Sequence, residues 1–276
     1  MVELGHNLVL VALAALTSGV GALGGIGGAV LLVPLLVVTG TPVAEASPLG
    51  LVSVISASLA AASGHLRDGT VNHRAGVLSE TAATSGAIAG ALLVGIFSER
   101  VLTWSIAVVI VAAALMSGRR KGVRWHPDAS LRESDVGEHV GSINGAYGFN
   151  GNVIPYRAKN VPFGVGLMGI AGFVTGLAGV GGGFIKTPIT SEVMHLPVKV
   201  AAATSTFTIG LTASVALAVT AFRGSIDVNA AALVVLGAIA GGSIGSRIQN
   251  KVSPPVVRRA LSFILIAVAV ALVARS

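Results

Sequence analysis

Two stretches of this sequence share a pattern suited to binding an anion. Residues 25–34 read GIGGAVLLVP and residues 179–188 read GVGGGFIKTP. Each sets glycines inside an apolar run and then resumes with apolar residues. Glycine in a helix interior costs about 1 kcal/mol relative to alanine, so each cluster is expected to break the helix. The helix that restarts after it has unpaired N–H groups and the positive end of its dipole, which attract anions. Glycine also lets the backbone approach a ligand closely. The candidate binding residues are Gly25, Gly27 and Gly28 in the first stretch and Gly179, Gly181, Gly182 and Gly183 in the second. The GxxxG spacings of Gly21/Gly25, Gly24/Gly28 and Gly237/Gly241/Gly245 are read instead as helix packing.

Few side chains join them. Lys186 follows the second cluster inside an apolar run. A charge there either neutralises an anion or snorkels to the interface, and both readings stand. The first copy has Leu32 at this position, so any cationic contribution is asymmetric. Thr204, Ser205, Thr206 and Thr208 form a hydroxyl cluster. It either donates to oxyanion oxygens or bonds back to helix carbonyls. Leu49 and Gly50 align with Thr204 and Ser205, although Ser47, Ser53 and Ser56 are near. Glu80 lies about one turn from Asn72-His73-Arg74 and is expected to be an interfacial carboxylate paired with a cation; proton uptake is the alternative. Glu45 and Asp227 stand where helices begin and are assigned as N-caps. His65, His73 and His195 are expected in loops and lack metal-ligand spacing, so no metal or other cofactor is expected. Gly19, Gly21 and Gly24 satisfy GxGxxG without the preceding strand a nucleotide fold needs. Ile185 stands where a phosphate loop ending in Lys186-Thr187 requires glycine.

The elements that position these residues follow from composition. Of 276 residues 53% are hydrophobic and 11% charged, against about 25% charged in a soluble domain. Mean hydropathy is +0.87. These values exclude a disordered chain and argue against a soluble enzyme; they indicate an all-α polytopic protein of the lipid bilayer. The apolar runs are continuous, unlike the alternation of membrane strands. The 37 glycines suit close helix contacts, and without cysteine there is no thiol chemistry. The net charge of +7 is read as basic loops rather than as a nucleic-acid surface. Leu8 to Leu16 followed by Thr17-Ser18-Gly19 resembles a cleavable signal, but Glu3 and the lack of Lys or Arg before it favour retention.

Apolar segments fall at 8–38, 46–64, 75–97 and 101–116, then at 161–189, 198–222, 228–248 and 254–274. The chain therefore divides into a first membrane repeat (1–116), a polar linker (117–160) and a second membrane repeat (161–276). Gly25, Gly27, Gly28 and Pro34 map onto Gly179, Gly181, Gly182 and Pro188 at an offset of 154. Pro42 and Gly69 map onto Pro197 and Gly224 at 155, and GAIAG occurs at both 86–90 and 237–241. This is duplication. In the linker, Asn150-Gly151 is a turn signal between two short strand-like runs; a surface hairpin and a flexible linker both fit.

Leu8 to Val38 is 31 residues, about 46 Å as a helix against a hydrocarbon core of about 30 Å. The segment either spans as a broken helix or turns at its glycines and leaves on the same side. With turning in both halves, Arg100, Arg223 and Arg275 lie on one face and the other 15 of 18 cations on the opposite face. Full spanning divides them 11 to 7. The positive-inside rule prefers the first arrangement, with three crossings per half, inverted repeats, external termini and a cytoplasmic linker.

The paired motifs GIGGAVLLVP and GVGGGFIKTP, the AATST run at 202–206 and the repeated GAIAG resemble the sulfite exporter TauE/SafE family of membrane transporters. The resemblance implies about eight membrane segments and transport of small sulfur-containing anions or organic sulfonates. SPLG at 47–50 departs from the second half's TS pair, so the hydroxyl site is not symmetric. The expected function is secondary transport of a small anion, sulfite or a sulfonate, across the cytoplasmic membrane by a multi-pass protein. A passive anion channel is the alternative. An intramembrane enzyme is disfavoured because no His, Asp or Glu cluster lies within the apolar segments.

Overall fold

The glycine clusters reverse the chain. The computed structural model describes residues 2–24, 27–67, 69–119, 132–149, 152–222, 226–249 and 254–275. In the first half α1 (Val2–Gly24) is followed, after the cluster, by α2 (Ala29–Thr39). Leu36, Thr39 and Gly40 at the end of α2 share a cavity with Val9, Leu10 and Leu13 near the start of α1. At the tip, a Cβ on Gly28 would sit 2.5 Å from the Ser18 Cα. Thus α2 folds back along α1. The second half repeats this with α6 (Val161–Ala178) and α7 (Gly183–Pro188), which runs on into a π-helical turn (Ile189–Val193). Its far end returns to the start of α6, where the Lys159 N–H donates to the Met194 carbonyl at 3.0 Å.

The reversals rest on backbone that only glycine adopts readily. Gly27, Gly179 and Gly181 have φ of +83°, +65° and +73°, a region in which an L-residue is strained by about 1–2 kcal/mol. Gly179 ends α6 as a left-handed cap whose N–H donates to the Thr175 carbonyl at 2.9 Å. Pro34 and Pro188 sit inside the returning helices and supply no N–H to them.

The remaining helices are α3 (Val43–Arg67), α4 (His73–Leu93) and α5 (Glu99–Arg119), then α8 (Val198–Ala221), α9 (Val228–Gln249) and α10 (Pro254–Arg275). Within the described residues Val43–Arg67, Val161–Ala178, Val198–Ala221 and Val228–Gly245 are long and apolar enough to cross a membrane. The halves interlock. The first helix of each packs on the fourth helix of the other, α1 on α9 and α6 on α4, while α3 packs on α8 and α5 on α10. Both GAIAG runs make these contacts. A Cβ on Gly241 would lie 1.9 Å from the Ala15 carbonyl oxygen, and one on Gly90 2.2 Å from that of Phe173. This is close backbone packing, as expected for Gly237, Gly241 and Gly245. Gly21 and Gly28 instead pack within their own hairpin, against Gly27 and Ser18.

Helices α3 and α8, equivalent in the duplication, run antiparallel. Val54 meets Ile209 at a shared cavity that extends to His65, late in α3, and Ala202, early in α8. The linker expectation resolves in favour of structure. Strands β1 (Gly137–Glu138), β2 (Gly145–Phe149) and β3 (Asn152–Tyr156) form an antiparallel sheet in that order. Tyr147, Ile154 and Tyr156 pack on Ala75, Met194, Leu196, Val200 and Ala201, so the sheet covers the ends of α4, α8 and the second hairpin. The Asn150-Gly151 turn lies outside the described residues.

Burial beneath this sheet should show in titration. Desolvation pushes the Tyr156 hydroxyl up to about 12, although a hydrogen bond from Asn72 opposes the shift, and burial raises Tyr147 as well. The folded pKa of Tyr156 lies above the unfolded value near 10. Its contribution to stability is therefore complete below pH ~10 and disappears as pH rises toward ~12, up to about 3 kcal/mol. Tyr147 and Tyr156 are the chain's two tyrosines. Tyrosinate absorbance is expected to appear only well above pH 10, and Tyr156→Phe should remove the later-titrating component. A titration near pH 10 for both would mean the sheet is not docked.

Candidate functional site

The tips of both hairpins meet at the centre, against the same two side chains. A Cβ on Gly27 would lie 3.8 Å from both Ile209 Cδ1 and Val54 Cγ2, and one on Gly181 would lie 2.8 Å from Val54 Cγ2 and 3.6 Å from Ile209 Cδ1. Val54 and Ile209 are themselves equivalent at the offset of 155. The duplicated backbone therefore converges around a duplicated apolar pair.

Beside this junction is a small cavity of about 60 Å³, lined by Gly27 and Gly28 of the first hairpin and Gly183 of the second. Ser58 and His65 of α3 and Ser205 and Thr206 of α8 complete its polar wall. Ser205 is 4% exposed, and its Oγ has no hydrogen-bond partner among the described residues. A buried hydroxyl left unpaired is costly, and Ser205 is among the residues that line the cavity. A hydroxyl of this kind is a hydrogen-bond donor.

The other expected site residues divide around it. Gly182 precedes α7, and a Cβ there would meet Thr175 Oγ1 at 2.6 Å, so that position faces α6. Gly179 packs on Ser47, 2.0 Å from its Oγ by the same measure. Gly25 lies outside the described residues. The Thr204 hydroxyl accepts from the Asn72 N–H at 2.9 Å, tying α8 to α4. Thr208 donates to the Ser205 carbonyl at 3.4 Å, a weak form of the back-bonding reading. The first half has no hydroxyl at Gly50 for a steric reason: a Cβ there would lie 2.5 Å from the Gly179 carbonyl oxygen and 2.2 Å from Val33 Cγ2.

Lys186 neither snorkels nor faces the cavity. It is 1% exposed, and its Nζ donates to Glu80 Oε2 at 2.8 Å and to Thr212 Oγ1. Thr212 in turn donates to Glu80 Oε1. Glu80 is thus paired with a cation as expected, but the pairing is buried and joins α4 to α7, not interfacial. His73 and Arg74 instead pair with Glu138 of β1. His65 and His73 stand within helices α3 and α4, not in loops. Asp227 caps α9, accepting from the Asn229 and Ala230 N–H groups at 2.9 and 3.2 Å. The first N–H of α3, on Val43, is taken by Glu99 at 2.5 Å and not by Glu45. Sequence reasoning missed His65 at the cavity and the Thr212 bridge. The spacing of His65 one turn beyond Ala61 on the Val54 face is a signal for the first; nothing local marks the second.

The two ends of the fold differ. A cavity of about 900 Å³ opens between α1, α2, α3 and α9, lined by Leu49, Glu45 and Asp227 among others. Asn72 and Thr204 are the equivalents of Asp227 and Leu49 at the offset of 155. They lie buried beneath the sheet, with the Asn72 side chain donating to the Ile143 carbonyl at 2.8 Å and the Tyr156 hydroxyl at 2.9 Å.

Apolar helices long enough to cross a membrane, with non-helical backbone buried at the centre, fit a helical membrane protein. The sequence profile described as "Sulfite exporter TauE/SafE" matches residues 10–272. The chain belongs to the sulfite exporter TauE/SafE family. It is also similar to the "Probable membrane transporter protein YunE" of Bacillus subtilis (strain 168), at 24% identity over 272 residues that cover 94% of each chain. No solved structure matches it.

Proposed function

We propose that this protein is a multi-pass secondary transporter of the cytoplasmic membrane that moves a small anion, sulfite or an organic sulfonate. Residues 1–116 and 161–276 act as inverted repeats and 117–160 as a cytoplasmic cap. The antiparallel crossing of the equivalent helices α3 and α8 supports the inversion. The substrate site is the cavity between the hairpin tips, formed by backbone at Gly27, Gly28 and Gly183 with Ser205 and Thr206; Gly179, Gly181 and Gly182 shape the turn beneath it. The unpaired Ser205 hydroxyl carries this reading. An open vestibule at one end and a covered one at the other favour alternating access over a continuous channel.

The test is uptake into liposomes of purified protein, screened across sulfite, sulfate, thiosulfate and sulfonates. Ser205→Ala should weaken binding of the transported anion by about 1.5–3 kcal/mol, the range for hydrogen bonds to charged groups. Because it removes an unpaired buried hydroxyl, it should leave thermal stability unchanged or raised. Loss of stability with unchanged affinity would place Ser205 in the scaffold, and failure of every anion to saturate uptake would defeat the transport reading.

A further inference from the structure

The Lys186–Glu80 pair occurs in one half only. At the equivalent places the first hairpin and its neighbours carry Leu32, Ala57 and Val235, so the duplicated scaffold forms without an ion pair. Replacing such a pair by apolar groups is often neutral or stabilising, so stability alone does not account for it. Its position does suggest a role. On α7, Lys186 lies one helical turn from Gly183, and on α8, Thr212 lies one turn from Ile209; Gly183 and Ile209 both line the cavity. The Lys186 N–H donates to the Gly182 carbonyl at 2.8 Å, so the ammonium-bearing residue is part of the hairpin's first turn.

We propose that Glu80 is the site of a proton carried together with the anion, an inference that rests on the transport reading above. With Glu80 ionised, the pair is neutral and offers no net charge to an anion. A proton on Glu80 leaves the Lys186 ammonium uncompensated, one turn from the cavity. An anion then restores neutrality. Either partner alone leaves an unbalanced charge in a medium of low dielectric constant, which is costly. Proton and anion therefore bind and leave together, and each raises the affinity for the other by the same factor.

Among the described residues no other ionisable side chain faces the Glu80–Lys186 pair. Of the elements packed on α4 and α7, α6 has no titratable residue and α8 has only Lys199, exposed at its first turn. The π-helical turn has Glu192, exposed, and α5 has Glu99 and Arg100 in its first turn and Arg119 at its far end. On α4 itself His73 and Arg74 are held by Glu138. Among the described residues the Glu80 carboxylate otherwise accepts from the Thr84 and Thr212 hydroxyls.

Radiolabelled sulfite separates the two readings in liposomes of the full chain. One measurement is exchange across the membrane at equal pH; the other is net accumulation under an imposed pH gradient. The unmodified protein should do both, with accumulation following the gradient. Glu80→Gln should retain exchange but lose the response to the gradient at least tenfold. Sulfite addition should also produce a protonated-carboxyl infrared band that Glu80→Gln lacks. Should Glu80→Gln fail to fold, Glu80→Gln/Lys186→Met removes both charges and should likewise lose gradient dependence. Exchange without a gradient response in the unmodified protein, or a normal response in either variant, overturns the coupling role alone. Absence of exchange in the unmodified protein with sulfite and with every sulfonate of the screen overturns the transport reading and the coupling with it.

Discussion

Lys186→Ala is expected to destabilise the protein by about 3–5 kcal/mol. The substitution leaves the Glu80 carboxylate, on a residue 7% exposed, with only the Thr84 and Thr212 hydroxyls for partners among the described residues. Removing one member of a buried ion pair strands the other charge away from water, and the stranded charge dominates the cost. Of the two sequence readings of Lys186, anion contact implies a different outcome, a loss of anion affinity, and snorkelling implies none. The distinction is measurable by thermal unfolding in detergent. Lys186→Ala should unfold far below the unmodified protein, whereas Lys186→Met/Glu80→Gln, which removes both charges at similar volume, should recover most of the difference. Equal unfolding of the single variant and the unmodified protein would mean that the two side chains are not paired.

Gly27→Ala should cost more than tenfold in transport while the protein still folds. At φ of +83° an alanine is strained by about 1–2 kcal/mol. Its methyl clashes with nothing, because the nearest atoms, on Val54 and Ile209, are 3.8 Å away. It does occupy the wall of a cavity of only about 60 Å³ and blocks approach to the backbone. Gly241→Ala provides the contrast. Its Cβ would lie 1.9 Å from the Ala15 carbonyl oxygen, a backbone atom that moves only with α1. Overpacking of this kind costs about 1–3 kcal/mol or more. Gly241→Ala should therefore lower the unfolding temperature, while substrate affinity is preserved in the fraction that remains folded. If Gly27→Ala transports normally, or if both variants fail only through instability, the glycine-lined site is wrong.

The sequence by itself determined where the chain breaks and that it does so twice. Those properties are local. An apolar run of 31 residues exceeds the membrane as a single helix, and glycines at its middle alone tolerate the turn that relieves the excess. The duplication is likewise visible as motif and offset, and the asymmetry of Lys186 against Leu32 needs no coordinates. The tertiary structure decided the partners. Glu80 and Lys186 are 106 residues apart, and Asn72 and Thr204 are 132 apart. No local pattern selects such pairs, because which faces meet depends on how the hairpins pack between the halves. The same holds for Ser205: its type suggested hydrogen bonding, but whether a neighbouring carbonyl or an open cavity faces its hydroxyl depends on the space left between α8 and the two hairpin tips. The linker followed the same rule. Its strands had a turn signal, yet a short hairpin is marginal in water by itself. Tyr147, Ile154 and Tyr156 hold it in place because the ends of α4, α8 and the second hairpin offer an apolar surface to cover.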